Sequence, residues 1–167
     1  MTDFKVPKPT IQRIDGRLHL IREVRNDAGN VEHRVVMPLG VEFGLRDLAE
    51  IVVGATVLAI PVGYTEEVWL LGESLSNLHA ILIVLVSLMF TAAFTYTVFY
   101  RDHFKGYGDE FVKRLVSSYI VTLTVAAIVL LLVDKLPLFD DPGIAIRRTI
   151  LVAFPATFSA TVVDSLK

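Results

Sequence analysis

The chain has 167 residues, of which 53% are hydrophobic, and it carries a net charge of −2 and no cysteine. Its mean hydropathy is +0.58, and the apolar residues are gathered into long runs, which is typical of a membrane protein. Sixteen basic residues against 18 acidic ones give no electrostatic basis for a nucleic-acid partner. The lack of cysteine excludes disulfides, thiolate metal sites and cysteine nucleophiles.

Residues 1–46 are polar and are predicted to form a cytoplasmic segment without a cleavable signal peptide. Residues 17–24 (RLHLIREV) alternate polar and apolar, residues 31–37 (VEHRVVM) do so more loosely, and residues 25–30 between them have turn chemistry. We therefore expect a small antiparallel β-hairpin, to which residues 10–15 can add a third strand. This segment is either a cap that orders the N-terminus or a docking module for a cytoplasmic protein partner.

Residues 47–167 are predicted to be a four-span transmembrane domain, because four apolar runs follow one another. The expected spans cover residues 48–71, 79–100, 113–134 and 144–165. The fourth run, residues 149–163, is short for a span unless its helix begins near Gly143 and takes in Arg147 and Arg148.

The first span decides where the candidate site lies. Residues 51–65 are uncharged, but a helix that crosses a hydrocarbon core ~30 Å thick needs about 20 residues. A helix counted from Ile51 would therefore continue beyond Thr65 and carry Glu66 and Glu67 to one membrane face. Trp69 suits the headgroup level, where indole rings are enriched.

The orientation follows from the basic residues. Thirteen of the sixteen fall on the side of the two termini and three on the other side, so the positive-inside rule places both termini in the cytoplasm. We expect a multi-pass protein of the cell membrane with Glu66 and Glu67 toward the outside.

The stretch from Pro61 to Trp69 reads P-x-x-Y-T-x-E-x-W. This pattern resembles the signature of a family of small prokaryotic integral-membrane proteins defined as a domain of unknown function. Residues 154–160 are similar to that family's final helix, and the resemblance covers most of residues 45–165. It implies a helical membrane fold and brings no activity with it. It makes Glu67 the family's acidic position and places Glu66 where the family usually has an apolar residue.

Two interpretations of the acidic pair remain open. Glu66 and Glu67 can form an ion or proton site beside a strip of small residues on the same helix face. Alternatively, they are hydrated or neutralised by a structural ion pair. Arg147 and Arg148 are expected at the same membrane level, so we predict at least one contact between the two pairs, within or between subunits.

Hydroxyl side chains recur at helical spacing in the next two spans. Thr91 and Thr95 in the second, and Ser118 and Thr122 in the third, either line a polar path or hydrogen-bond across helices. The four histidines are scattered and no catalytic or nucleotide-binding motif occurs. We therefore predict no metal site, no cofactor and no catalytic residue, and expect that the protein is not an enzyme.

The sequence thus predicts an all-α membrane protein: a four-helix transmembrane bundle in the lipid bilayer, with a small N-terminal cytoplasmic β-hairpin segment. Four short spans bury little surface against one another, so we expect a homo-oligomer. The favoured function is that of a channel- or transporter-like protein with an outward-facing acidic site. The alternative is a non-catalytic structural or regulatory membrane protein that acts through its cytoplasmic segment.

Overall fold

A computed structural model describes residues 10–14, 17–25, 31–38, 42–101 and 106–166. Its contacts divide the chain after Glu42 into an N-terminal unit and a helical unit. The division lies four residues before the boundary expected from the sequence.

The N-terminal unit is a three-stranded antiparallel sheet. Its strands are β1 (Thr10–Ile14), β2 (Arg17–Arg25) and β3 (Val31–Pro38), in the order β1-β2-β3. The predicted hairpin and its third strand are confirmed, while the predicted turn at residues 26–30 lies outside the described residues. The Glu42 carboxylate accepts a hydrogen bond from the backbone N–H of Leu18 at 3.1 Å and ties the end of this unit to the sheet.

The helical unit confirms the predicted helical membrane fold. Its helices are α1 (Leu45–Gly63), α2 (Glu66–Ser74), α3 (Asn77–Thr95), a π-helical turn (Tyr96–Tyr100), α4 (Gly108–Leu132) and α5 (Pro142–Ser165). Within the described residues, three helices are long and apolar enough to cross a membrane: α3 with its π-helical turn, α4 and α5. The bent pair α1–α2 makes a fourth crossing if it counts as one span.

Helix α5 is central and packs against α1, α2, α3 and α4. It begins at Pro142, where the Asp141 side chain accepts a hydrogen bond from the N–H of Ile144 at 3.0 Å. The helix therefore includes both Arg147 and Arg148. Its buried residues recur every three or four positions, as expected for one face of an α-helix: Ala145, Arg148, Val152, Ala153, Ala156, Thr157, Ala160, Thr161 and Asp164.

The interior of the bundle is filled by small and branched apolar side chains. Seven buried residues form one cluster: Ala59, Ala126, Val129, Leu130, Val152, Ala153 and Ala156. Ile51, Ala55 and Ala160 form a second. Helices α1 and α5 approach so closely at Gly54 that a Cβ there would lie 2.7 Å from the Cα of Ala160. Small residues permit such an approach in membrane bundles.

The predicted continuous helix over residues 48–71 is wrong. The chain turns by 83° between α1 and α2, and the Trp69 indole N–H donates to the carbonyl oxygen of Gly63 at 2.8 Å across the break. The Thr65 hydroxyl donates to the Val62 carbonyl at 2.7 Å, so carbonyls at the end of α1 are satisfied without further helix. The helix begins at Leu45, three residues before the predicted start of the span at residue 48.

Candidate functional site: a charged cluster inside the helix bundle

Buried charged residues lie at both ends of the bundle, which are called the Arg114 end and the α2 end. The Arg114 end contains Asp47, Arg114 and Asp164, from α1, α4 and α5. The α2 end contains α2, the C-termini of α1 and α4, and the N-termini of α3 and α5.

Arg114 is the centre of the charged cluster. Its side chain is 1% exposed, and its Nη1 donates to Oδ2 of Asp164 at 2.6 Å. Its Nη2 lies 3.5 Å from Oδ1 of Asp47. The guanidinium carbon lies 4.0 Å from the centroid of the Phe99 ring, a distance suited to a cation–π contact. One cation thus links carboxylates on two other helices.

Asp47 serves both the cluster and its own helix. Its Oδ2 accepts a hydrogen bond from the N–H of Gly44 at 2.6 Å, at the N-terminus of α1, where a negative charge is favourable. Glu50 lies one turn further on and accepts from Nε of Arg46 at 2.8 Å. One carboxylate oxygen from each of Asp47, Glu50 and Asp164 lies within 4.8 Å of the other two.

Helix length indicates how deep this cluster would lie in a membrane. Gly63 lies sixteen positions after Asp47, and Asp164 lies sixteen positions after Arg148. At 1.5 Å per residue each separation is about 24 Å, which is less than the ~30 Å of a hydrocarbon core. If the α2 end lies at one membrane face, the cluster lies just inside the opposite face. A charge at that depth requires a partner, and Arg114 provides one.

The cluster can do two things chemically. Its ion pairs can hold α1, α4 and α5 together, since removing one member would leave another charged and buried. Its three carboxylate oxygens are also of the type that protons and hard cations bind. The close carboxylates repel one another, which favours a bound positive charge.

The predicted polar lining residues are buried, but their described hydroxyl contacts run along their own helices. Thr91 donates to the carbonyl of Ser87, and Thr122 to that of Ser118, both at 2.8 Å. Thr95 and Ser118 are also buried. Bonds to the preceding turn satisfy a hydroxyl proton without a partner helix. A role in lining a path stays a prediction.

Arg148, in the first two turns of α5, binds α2 to this end of the helix. Its side chain donates to the carbonyl oxygens of Trp69 at 3.1 Å and Lys135 at 2.8 Å, and pairs with Glu73 at 2.6 Å. It runs so close to Gly72 that a Cβ at that position would overlap it. Arg148 thus occupies the angle between α2, α5 and the loop after α4.

Glu66 and Glu67 lie elsewhere. Both are exposed in the first turn of α2, where the helix N-terminus favours acidic side chains. No salt bridge among the described residues joins Glu66 or Glu67 to Arg147 or Arg148. Arg148 pairs instead with Glu73, about two turns further along α2. A contact between subunits, and an ion or proton site at these acids, stay predictions.

The chain's single tryptophan reports on this arrangement. Because Arg148 donates to the Trp69 carbonyl and ion-pairs with Glu73, Arg148→Gln is expected to weaken the docking of α2 by about 1.5–3 kcal/mol. Trp69 fluorescence should then shift to the red and become more sensitive to iodide. Arg101→Gln, at the Arg114 end, is the control, with helicity followed by circular dichroism. Unchanged emission and quenching in Arg148→Gln would contradict the role of Arg148 in binding α2.

Sequence reasoning missed the cluster, although one signal points to it. Polar residues recur every fourth position from Arg114 through Ser118 to Thr122, and a similar stripe on α5 ends at Asp164. Two polar stripes that reach the same membrane level and end in opposite charges predict an interhelical ion pair.

Helices long and apolar enough for several crossings, with buried charges paired between them, define a multi-pass integral membrane protein. The chain belongs to the integral membrane protein family DUF2391, whose model it matches over residues 22–163. The match confirms the resemblance carried by Pro61–Trp69, and it begins within β2 rather than near residue 45. No curated protein and no solved structure matches the chain.

Proposed function

We propose that the protein is a non-catalytic integral membrane protein that acts through its N-terminal sheet, with the helix bundle as its membrane anchor. The observation that carries this proposal is the filled interior of the bundle. Ala59, Ala126, Val152 and Ala156 lie at its centre, and each is 0% exposed. Side chains packed in this way leave no room for water between α1, α4 and α5 at this level of the described bundle.

The charged groups support the same proposal. Arg114 is neutralised by Asp164 and Asp47 at one end, and Arg148 by Glu73 at the other. Ion pairs that span helices hold an anchor together. A carboxylate already engaged by a guanidinium is a poor free ion site.

The sheet offers a surface for a partner. Ile11, Leu20 and Met37 stand directly opposite one another on β1, β2 and β3, so their side chains share one face. Ile11 is 42% exposed and Met37 is 53% exposed. An exposed apolar face of this kind is typical of an interaction site. The excess of basic residues on the side of the termini favours a cytoplasmic location for the sheet. An apolar face exposed there would bind a cytoplasmic protein.

Site-specific photocrosslinking in cells tests this function. A photoreactive residue at position 37 probes the apolar face. One at position 34, whose arginine is exposed and pairs with Glu23, probes a polar part of the opposite face and is the control. We expect position 37 alone to give one discrete product with a second protein, and Ile11→Asp to remove that product. Equal products from both positions, or no product beyond the chain itself, would overturn the proposal.

A second candidate is cation or proton transport, favoured by the three carboxylate oxygens within 4.8 Å of one another. Its pathway would lie between chains of a homo-oligomer, which stays a prediction. In proteoliposomes under proton or sodium gradients, we expect no flux from the wild-type chain. Flux that falls in Glu50→Gln would favour transport through the Arg114 end, and flux that falls in Glu67→Gln would favour an outward-facing acidic site.

A further inference from the structure

A groove runs between α3 and α5 at the α2 end of the bundle. It has a volume of about 460 Å³ and is lined mainly by aliphatic side chains: Ala80, Ile81 and Val84 from α3, and Ile146 and Ile150 from α5. The volume is in the range of ligand-binding pockets. Ile81 is 56% exposed and Ile146 is 60% exposed, so the groove opens on the outer surface of the bundle.

The mouth of the groove carries a positive charge. Arg147 lines it together with Asn77, and donates to the Asn77 side-chain oxygen at 3.1 Å and to the Gly72 carbonyl at 2.9 Å. Both described partners are neutral, and no salt bridge to Arg147 occurs among the described residues. The neighbouring Arg148, by contrast, pairs with Glu73.

The level of Arg147 in the membrane identifies the chemistry of an occupant. Asp164 lies seventeen positions after Arg147, about 25 Å along α5, so the two residues would lie near opposite faces of a ~30 Å hydrocarbon core. A guanidinium at this level meets lipid headgroups, and its planar fork binds phosphate oxygens through two parallel hydrogen bonds. The aliphatic groove continues from it toward the membrane interior.

We propose that this groove binds one phospholipid, with the phosphate on Arg147 and an acyl chain between α3 and α5. Glu66 and Glu67 of a second copy are exposed at this same end, but they would satisfy only the charge of Arg147. A phospholipid satisfies that charge with its phosphate and also fills the aliphatic groove with an acyl chain. The Asn77 and Gly72 hydrogen bonds hold the guanidinium at the mouth in advance. The site thus recognises both parts of the lipid, the anionic headgroup and the apolar chain.

Native mass spectrometry of the full chain in detergent tests the proposal with two probes that have the same acyl chains. Dioleoylphosphatidylglycerol carries a phosphate, and dioleoylglycerol does not. We expect one phosphatidylglycerol per chain, retained about tenfold better than dioleoylglycerol, because only the phosphate accepts hydrogen bonds from the Arg147 guanidinium. Arg147→Gln should lose this preference, and Arg101→Gln, an exposed arginine at the other end, should keep it.

Arg147→Gln also removes a hydrogen bond to Gly72 of α2, so a second variant tests the groove without changing that contact. Val84→Trp narrows the groove without removing either hydrogen-bond partner of Arg147, so it should weaken the binding of both lipids. Equal retention of the two lipids by the wild type, or full phosphatidylglycerol binding by Val84→Trp, would overturn the proposal. Lipid-free dimers that form disulfides through Ile146→Cys would assign the groove to a second copy and overturn it too.

Discussion

Replacing Asp164 with leucine is expected to destabilise the bundle by about 3–5 kcal/mol. The Asp164 carboxylate accepts a hydrogen bond from Arg114 at 2.6 Å, and both side chains are almost completely buried. Removing it leaves a guanidinium inside the bundle with Asp47, at 3.5 Å, as the remaining carboxylate in salt-bridge range among the described residues. The loss is large because a buried charge deprived of its partner retains its full desolvation cost.

Reversible unfolding of the purified chain in mixed micelles measures this loss. The control is Lys113→Gln, which removes the i,i+3 pair with Glu110, whose side chains are 54% and 32% exposed. That change should cost no more than about 0.5 kcal/mol, as exposed helix pairs do. If Asp164→Leu and Lys113→Gln had equal effects, the buried pair would not be a main element of stability.

Gly54→Leu is expected to lower stability by about 3 kcal/mol, at the upper end for overpacked cores. A Cβ at this position would lie 2.7 Å from the Cα of Ala160 and 3.0 Å from the carbonyl oxygen of Ser159. Both are backbone atoms of α5, so α1 has to move away from α5 as a whole. The gain in helix propensity over glycine, about 1 kcal/mol or less, does not offset this displacement.

Gly108→Leu is the matched control, since a Cβ at Gly108 meets nothing within 4 Å. It should leave the midpoint of unfolding unchanged or slightly raised. The same unfolding assay measures both variants. A Gly54→Leu protein as stable as Gly108→Leu would show that α1 and α5 do not pack closely at this position.

The helices and the sheet could be predicted from the sequence because each depends on local patterns. Uncharged runs over residues 80–100 and 115–133 are long enough to fix α3 and α4, and the alternation in residues 17–24 fixes β2. The family resemblance also rested on a local pattern, Pro61–Trp69, and it is confirmed by the family match.

The first helix shows why the sequence predicts a charged site at Glu66 and Glu67 and not the cluster around Arg114. Counting from the uncharged residue Ile51 assumes that charges stay outside the membrane, and so pushes the helix beyond Thr65. In the structure the helix begins at Leu45 and includes Asp47 and Glu50. An acidic residue is tolerated within the helix because Arg114, from another helix, lies beside Asp47. A partner more than sixty residues away in sequence cannot be deduced from the charge pattern of one segment.

Removing the three charges of the cluster together tests the central claim most directly, that Asp47, Arg114 and Asp164 stabilise the bundle only as a set. The triple variant Asp47→Asn, Arg114→Met, Asp164→Leu removes the guanidinium and both carboxylates that it contacts, while the amide oxygen introduced at position 47 can still accept from the N–H of Gly44. We predict a free energy of unfolding within about 1–2 kcal/mol of the wild type, well above that of Asp164→Leu alone. A triple variant as unstable as Asp164→Leu would contradict the claim.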